Sequence, residues 1–273
     1  MSGEHMDTSG YQTHWHTDEI SDDIATSPDT AFIFGWWDWV VRVSASENGA
    51  KRILDVACGN ARDITYLSET GCEVWGVDPS HLQLRDARAA ALESGQRLHL
   101  VRGVAEFLPF KPGVFDSLIC KSALDHFVEG DRAMRGFASV LKPEGRAVVS
   151  INNMTSLSVR MSRMLYRLYR TVSPAAREKH FHWDSPVPHQ HTYECTYQNT
   201  ADLGKPDFDT VDEYGVSLLW GLPGWGPFVS MLPDIINRPL LRGLHGIGRR
   251  LPQLADVCVF IWQPKPANET PAN

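Results

Sequence analysis

The sequence has 273 residues, of which 42% are hydrophobic and 22% charged, so it is long and apolar enough for one sizeable globular domain. Its formal net charge of −7 at pH 7 argues against a nucleic-acid-binding protein, which usually carries a basic excess. The five cysteines form no CxxC pair, so neither a disulfide framework nor a zinc site is predicted.

The polar start of the chain lacks the basic segment and apolar core of a signal peptide. The apolar run Ala31–Val43 is interrupted by two charged residues and is too short to cross a bilayer. The sequence therefore predicts a soluble, cytoplasmic protein. Residues 1–45 are predicted to form an N-terminal lid and helix, in which Tyr11 and Trp15 either fold over a ligand or cover a surface patch.

A helix is predicted over Ser27–Val43, because Ser27 can serve as the N-cap and Pro28 suits the first turn. Five apolar residues recur along it at helical spacing. We interpret this stripe as the core-facing side of the helix, with a ligand-binding surface as the alternative. The stripe consists of Phe32, Trp36, Trp39, Val40 and Val43.

From Ile53 onward, short apolar strands alternate with helices, a pattern typical of a parallel sheet covered on both faces. The predicted fold class is α/β: a doubly wound, Rossmann-like sheet, mostly parallel, with an antiparallel C-terminal strand and a helical cap inserted after the fifth strand. The predicted strands are Ile53–Val56, Glu73–Val77, Leu98–Arg102, Phe115–Cys120, Arg146–Ile151, one within Phe208–Leu219, and Asp256–Gln263.

Three strand ends carry residues that indicate a ligand. The first strand reaches Asp55 and then a turn of small residues before a helix N-terminus, where free N–H groups are available. Asp78 closes the second strand about 20 positions after this turn, the spacing at which a carboxylate binds a ribose diol. A second small-residue turn, Gly103–Glu106, follows the third strand. Together they predict a site for an adenosine-bearing cofactor.

Two common nucleotide-binding motifs are missing from this sequence. The turn Ala57-Cys58-Gly59-Asn60-Ala61 does not fit the G-x-G-x-x-G spacing of dinucleotide sites, and the chain has no P-loop motif. The carboxylate of Asp55 would repel a phosphate group but suits a cationic ligand.

Four segments, in order, resemble the motifs of class I S-adenosylmethionine-dependent methyltransferases. The resemblance covers about Lys51–Asn152 and is closest to the small-molecule and lipid-quinone type. The segments are ILDVACGNARD at Ile53–Asp63, VWGVDPS at Val74–Ser80, GVAEFLPFKPGVFDSLICKSALDHF at Gly103–Phe127 and LKPEGRAVVSI at Leu141–Ile151.

The resemblance implies S-adenosylmethionine as the cofactor. It implies that Asp55 orders the methionine end, that Asp78 binds the ribose hydroxyls, and that Lys121 and Ser122 lie beside the methionine and the sulfonium. The other implied cofactor-binding residues are Ala57, Cys58, Gly59 and Asn60 in the first turn, Pro79 beside the adenine, and Val104, Ala105 and Glu106 in the adenine loop.

The chain departs from the family pattern at three positions. Ala57 and Ala61 stand where the family usually has glycines, and we expect them to be tolerated with negative φ angles. Val104 stands where an acidic residue is common, so Glu106 or a backbone group is expected to serve the adenine amine.

The resemblance also implies a domain organisation. The cofactor-binding methyltransferase domain is expected to comprise residues 46–152 and 207–265, interrupted by a cap at 153–206 and followed by a disordered tail at 266–273. The variable parts before the first strand and after the fifth are expected to bind the acceptor. The Arg-faced helix Thr155–Val172 either packs its apolar face on the core or, with Leu240–Leu251, makes peripheral contact with a membrane.

The predicted function is methyl transfer to a small or partly hydrophobic, lipid-like acceptor, most directly at oxygen. The candidates for a general base are His126, Asp125 and His191. The alternatives are transfer to carbon or nitrogen, a non-catalytic module that binds the cofactor or its product, and an NAD-dependent oxidoreductase, which the turn spacing disfavours. No metal site is expected, because the histidines His180, His182, His189 and His191 have no acidic partner at a recognisable spacing.

Overall fold

The computed structural model describes residues 27–93, 95, 98–173 and 194–266. Several predictions concern residues outside these ranges. They are the lid residues Tyr11 and Trp15, the cap histidines His180, His182, His189 and His191, and the tail from residue 267 onward.

The described residues form a seven-stranded sheet with the order β3-β2-β1-β4-β5-β7-β6. Strands β1 to β5 are parallel, whereas β7 lies between β5 and β6 and is antiparallel to both. The predicted α/β class, with its antiparallel C-terminal strand, is therefore confirmed. The strands are β1 (Arg52–Val56), β2 (Glu73–Asp78), β3 (His99–Arg102), β4 (Phe115–Lys121), β5 (Leu141–Asn152), β6 (Phe208–Val216) and β7 (Val257–Pro264).

Helices cover both faces of the sheet. One apolar cluster joins one face to residues of α1, α2 and α3, and a second joins the opposite face to α4. The helices are α1 (Pro28–Ser46), α2 (Arg62–Glu69), α3 (His81–Glu93), α4 (Gly130–Val140), α5 (Leu157–Val172), α6 (Tyr197–Gly204), α7 (Trp225–Met231) and α8 (Asp234–Arg250).

Helix α6 lies within the predicted cap at 153–206. It begins with a capping box, in which the Thr196 side chain accepts a hydrogen bond from the Asn199 N–H, and the Asn199 side chain accepts one from the Thr196 N–H. Two helix-terminal N–H groups are thereby satisfied locally. The helix is two turns long, which is too short to produce a recognisable apolar stripe.

Helix α1 packs on the sheet with a face that matches the predicted one only in part. Its buried side chains include Ile33, Trp37 and Val41, and the Trp37 indole donates a hydrogen bond to Ser150 Oγ on β5, 2.9 Å away. Of the predicted stripe only Val40 is buried, whereas the side chain of Trp39 is 51% exposed. The core-facing interpretation therefore holds for Val40 and in part for Trp36, which packs against the same apolar cluster, but it is wrong for Trp39.

Gly76 in the middle of β2 allows α2 to lie close to the sheet. A Cβ atom at this position would stand 2.4 Å from Ile64 Cδ1 and 2.7 Å from Cys58 Sγ, closer than side-chain atoms can approach. The absence of a side chain therefore lets the turn after β1 settle directly against β2. This packing brings the turn next to the carboxyl end of β2, where Asp78 lies.

Helix α5 exposes much of its apolar side. Its buried residues are Ser158, Ser162 and Tyr166, so the helix meets the rest of the fold largely through small polar groups. The interpretation that its apolar face packs on the core is wrong for the second half of the helix. The exposed apolar residues there are Met164, Leu165, Leu168, Tyr169 and Val172. Among the described helices, none is long and apolar enough to span a membrane.

Candidate functional site

The turn after β1 is built on left-handed backbone. Ala57, Gly59 and Ala61 have φ angles of 58°, 52° and 62°. The turn is closed by a hydrogen bond from the Ala61 N–H to the Cys58 carbonyl at 2.9 Å. The expectation that both alanines keep negative φ is therefore wrong, and each holds a conformation that costs a residue with a Cβ about 1–2 kcal/mol.

Replacing Ala57 by glycine is expected to stabilise the protein, because glycine adopts positive φ without steric cost. We expect the free energy of unfolding to rise by about 0.5–1 kcal/mol, the strain relief being partly offset by the greater freedom of glycine in the unfolded chain. Urea unfolding of Ala57→Gly measures the change. In the matched control, Ala89→Gly in α3, the same replacement on helical backbone should destabilise by about 1 kcal/mol. Equal losses in both variants would contradict the strain assignment.

Asp78 connects the end of β2 to this turn. Its Oδ2 accepts a hydrogen bond from the Gly59 N–H at 2.9 Å, and its Oδ1 accepts one from the Ser80 N–H at 2.8 Å. The residue is 7% exposed. Burial raises the pKa of Asp78, and the two N–H donors offset only part of that rise. The first two predicted motifs thus meet through direct contact.

Asp55 lies beneath the same turn and is 4% exposed. Its pKa is raised well above the ordinary value, first by burial and then by the negative charge of Asp63, while the charge of Lys121 opposes the rise. Asp78 adds a smaller upward contribution. Three carboxyl groups and one ammonium group therefore share one electrostatic environment at the carboxyl edge of the sheet, and this environment favours a ligand that brings positive charge.

Helix α1 brings two further charged residues to this edge. Asp38 and Asp63 both pair with the Lys121 ammonium, and Lys121 Nζ lies 3.2 Å from Asp63 Oδ2. Arg42 Nε lies 2.7 Å from Asp63 Oδ1. We call Asp38, Arg42, Asp63 and Lys121 the ion cluster; their side chains are 11–18% exposed. It contains two negative and two positive groups, so its charge is balanced.

Burial and pairing act in opposite directions on the pKa of Asp63 in the ion cluster. Burial raises the pKa of Asp63, but the charges and hydrogen bonds of Lys121 and Arg42 outweigh it, and the pKa is lowered overall. Asp63 therefore remains ionised at neutral pH.

Sequence reasoning did not assign Asp38, Arg42 or Asp63 to the site. Asp38 stands in the run Trp36-Trp37-Asp38-Trp39, where a single charged residue interrupts an aromatic helix. Together with Arg42 one turn later, it was a recognisable signal for a helix face that pairs with another charged group. The identity of the partner depends on contacts across 83 and 21 residues of sequence, which no local pattern contains.

Removing the ammonium of Lys121 is expected to destabilise the fold, because Asp38 and Asp63 would stay largely buried with only the guanidinium groups of Arg42 and Arg62 as cationic partners. We expect Lys121→Met to lower the free energy of unfolding by about 1.5–3 kcal/mol, the range for hydrogen bonds to charged groups. The double variant Lys121→Met/Asp38→Asn should recover part of this loss, since it also removes one of the two carboxylates that lost the ammonium. Denaturant titrations measure both changes.

The matched control for this prediction is Lys142→Met. Lys142 pairs with Asp116 at the opposite end of β4, where its side chain is 46% exposed. An exposed ion pair contributes about 0–1 kcal/mol, so the control should change stability little. Similar losses in Lys121→Met and Lys142→Met would show that the ion cluster has no special energetic role.

The residues of the predicted adenine loop have different structural roles. Val104 and Ala105 are buried, and Ala105 begins a short 3₁₀ turn after β3. The carboxylate of Glu106 accepts hydrogen bonds from the N–H groups of Val128 and Glu129, at 2.8 and 3.3 Å, immediately before α4. Glu106 thus holds the chain at the start of α4, and this is a structural role that the sequence did not indicate.

Residues of the first turn and Pro79, which follows Asp78, differ in how far they are exposed to solvent. Cys58 is buried and its thiol pKa is raised by burial, Asp55 and Asp78, so it stays protonated. Asn60 is exposed, and Pro79 is partly buried next to Asp78. The backbone of the turn, rather than the Cys58 thiol, is therefore the part suited to meet a ligand.

Residues at the carboxyl ends of β4 and β5 also lie at this edge of the sheet. Asn152 Nδ2 donates a hydrogen bond to Ser122 Oγ at 3.0 Å, while its buried Oδ1 makes no hydrogen bond within the described residues.

The candidate bases Asp125 and His126 lie on a short 3₁₀ turn after β4, with His126 Nε2 4.0 Å from Asp125 Oδ1 and both side chains partly buried. His191, the third predicted base, lies outside the described residues. In the described ranges no group of three His, Cys, Asp or Glu side chains could hold a metal ion.

Comparison with protein families gives a match for the central part of the chain. Residues 54–149 match a family model described as a methyltransferase domain. A ubiquinone biosynthesis O-methyltransferase from Xanthomonas euvesicatoria is 32% identical over 110 residues, which is 40% of this chain and 46% of that protein. The matched region thus spans about half the length of the curated relatives.

Solved structures resemble a larger part of the chain. A structure titled as an S-adenosylmethionine-dependent methyltransferase from Mesorhizobium loti matches with a TM-score of 0.54 and 18% identity, covering 85% of this chain and 99% of that one. A Thermotoga maritima structure titled as a S-adenosylmethionine-dependent methyltransferase, possible histamine N-methyltransferase, matches with a TM-score of 0.53 and 16% identity, covering 86% and 93%. At these identities the similarity shows the shared fold.

Proposed function

We propose that this chain, whose residues 54–149 match a family model described as a methyltransferase domain, is a class I enzyme that transfers the methyl group of S-adenosylmethionine to a small or partly hydrophobic acceptor. The observation that carries the proposal is the meeting of the turn after β1, Asp78 and the ion cluster at one edge of the sheet. In doubly wound folds, ligands bind outside this carboxyl edge.

The residues at this edge fit S-adenosylmethionine. Its amino acid end carries an α-ammonium and an α-carboxylate, and the ion cluster offers carboxylates and cations side by side. Asp78 is the group for the ribose hydroxyls, and the backbone at Val104 and Ala105 is the contact for adenine. Because Glu106 Oε1 is engaged by Val128 and Glu129, we assign the adenine amine to a backbone group.

The cofactor supplies an activated methyl group on a sulfonium sulfur. The chain must position the acceptor in line with that methyl group and exclude water. For an oxygen acceptor it must also remove a proton, and we assign this role to His126, with Asp125 beside it. The unpaired Oδ1 of Asn152 can accept a hydrogen bond from the acceptor's hydroxyl group.

A ubiquinone-like acceptor is the substrate class that the relatives' name favours, and we propose a hydroxylated, lipid-linked molecule of this kind. We assign acceptor binding to residues 1–45 and to the segment 153–206. The exposed apolar side of α5, from Met164 to Val172, is flanked by the exposed Arg160 and Arg167. This surface supports peripheral contact with an anionic membrane, from which such an acceptor would enter.

A methyl-transfer assay with labelled S-adenosylmethionine tests the proposed function. The acceptors should include catechols and prenylated hydroxyquinones, with matched amines for the N-methylation alternative. We expect the labelled methyl group to appear in an O-methylated product. Calorimetry with S-adenosylhomocysteine and NAD is the companion measurement. Binding of S-adenosylhomocysteine without transfer to any acceptor would favour a non-catalytic module, and binding of NAD alone would refute the proposal.

A further inference from the structure

The side of α1 that points away from the sheet forms a cleft with α8, and the proposed methyl-transfer site does not use it. The cleft has a volume of 680 Å³, which lies within the range of small-molecule sites, about 300–1,000 Å³. The side chains that matter for its chemistry are Phe32, Trp36, Trp39, Arg238, Leu241 and Arg242.

One wall of the cleft is aromatic. The rings of Trp36 and Trp39 meet edge to face with centroids 5.3 Å apart, and the His245 ring stacks on Trp36 at 4.4 Å. Burial, with the charge of Arg249, lowers the pKa of His245, so the stacked ring is neutral at pH 7. The wall is therefore apolar, and Trp39 presents half of its surface to solvent.

The other wall carries a positive charge that no residue of the described ranges neutralises. Arg238 is paired with Asp234, with 2.7 Å between Nη2 and Oδ2. Arg242, one turn further along α8, is exposed and makes no hydrogen bond or ion pair with any residue of the described ranges. An aromatic wall opposite a free guanidinium group is complementary to a molecule with an apolar body and an anionic head.

Exposed apolar side chains continue beyond the cleft at the start of α8. Phe228, Met231, Ile235 and Ile236 are 45%, 76%, 82% and 51% exposed. Single exposed apolar residues are ordinary on protein surfaces, but four within one short stretch of sequence are a concentration that favours an apolar partner. These residues lie on α7 and at the start of α8, next in sequence to residues that line the cleft.

We propose that the cleft between α1 and α8 binds an anionic lipid, whose alkyl or isoprenoid chain lies on Trp36 and Trp39 and whose carboxylate or phosphate group lies at Arg242. This site is distinct from the ion cluster, because neither Asp38 nor Arg42 lines the cleft. The two sites therefore share one helix but no side chain.

Calorimetry of the full chain with decanoate and decyl phosphate tests the proposal, with decanol as the neutral probe of equal chain length. We expect both anions to bind more tightly than decanol. Trp39→Ala should weaken their binding about tenfold, because an aromatic anchor is lost. Arg242→Gln should weaken it about fivefold, the effect of one exposed charge pair. Indole N–H resonances of Trp36 and Trp39 should shift on binding.

The matched control is Arg250→Gln, which removes an exposed arginine of the same helix outside the cleft. It should leave the affinity for decanoate unchanged, and thermal unfolding should show that all three variants fold. Equal weakening by Arg250→Gln and Arg242→Gln, or equal binding of decanol and decanoate, would overturn the proposal. So would binding that Trp39→Ala does not affect.

Sedimentation with phosphatidylglycerol and phosphatidylcholine vesicles identifies the source of the lipid. Binding of monomeric decanoate with the expected variant pattern supports a free amphiphile as the ligand. Binding only to phosphatidylglycerol vesicles, with the same pattern, supports a lipid headgroup in a bilayer. Vesicle binding that is insensitive to Trp39→Ala and Arg242→Gln counts against the cleft. None of these measurements depends on methyl transfer.

Discussion

Replacement of Asp78 by alanine is expected to weaken the binding of S-adenosylhomocysteine at least about 100-fold, because the ligand would lose two charge-assisted hydrogen bonds to its ribose. The same substitution removes the acceptor for the Gly59 and Ser80 N–H groups. The turn after β1 would then lose its connection to β2, which adds to the loss. Isothermal calorimetry of the folded variant gives the affinity directly.

Two further variants separate ribose binding from damage to the turn. Asp78→Asn keeps the size of the side chain and one acceptor oxygen, so it should retain more stability than Asp78→Ala while still losing most of the affinity. Asp202→Ala, on the exposed surface of α6, should change neither the stability of the fold nor the affinity for S-adenosylhomocysteine. An unchanged affinity in Asp78→Ala would refute the ribose assignment and, with it, the proposed position of the cofactor.

Replacement of His126 by alanine is expected to lower kcat about 100-fold or more for an oxygen acceptor, the usual contribution of a general base. The affinity for S-adenosylhomocysteine should stay within about twofold, because His126 is assigned to the acceptor and not to the cofactor. Added imidazole should restore part of the rate, since it can enter the space left by the side chain. Single-turnover kinetics with labelled cofactor measure each of these quantities.

The control for this experiment is His81→Ala, at the exposed start of α3. It should leave kcat unchanged and should not respond to imidazole. A His126→Ala enzyme with an unaltered rate would remove His126 as the base. A slow variant that imidazole does not rescue would indicate that His126 positions the acceptor without accepting its proton.

The sequence predicted the structure correctly where a local pattern decides it. Alternating apolar strands and helices predicted the doubly wound sheet, because the two periodicities reflect which side chains face the core. The turn after β1 was recognised from its small residues, and Asp78 was assigned to the same site because parallel strands end at one edge of a sheet. These inferences require only neighbouring residues and a general topology.

The core-facing side of α1 was predicted only in part, and the reason is physical. This helix lies between the sheet and α8, so aromatic residues occur on both sides of it. Trp37 reaches Ser150 on the sheet, whereas Trp36 stacks on His245. Periodicity detects apolar residues at helical spacing but cannot tell which of two apolar faces meets the sheet.

By itself, the sequence determined the fold class and the cofactor family, because apolar periodicity and turn chemistry are encoded locally. Only the tertiary structure decided the left-handed φ angles of Ala57 and Ala61, the engagement of Glu106 with the start of α4, and the ion cluster. Lys121 and Asp38 are 83 residues apart in sequence. Their pairing depends on how α1 packs across the sheet, and this packing is settled by the competition of many long-range contacts.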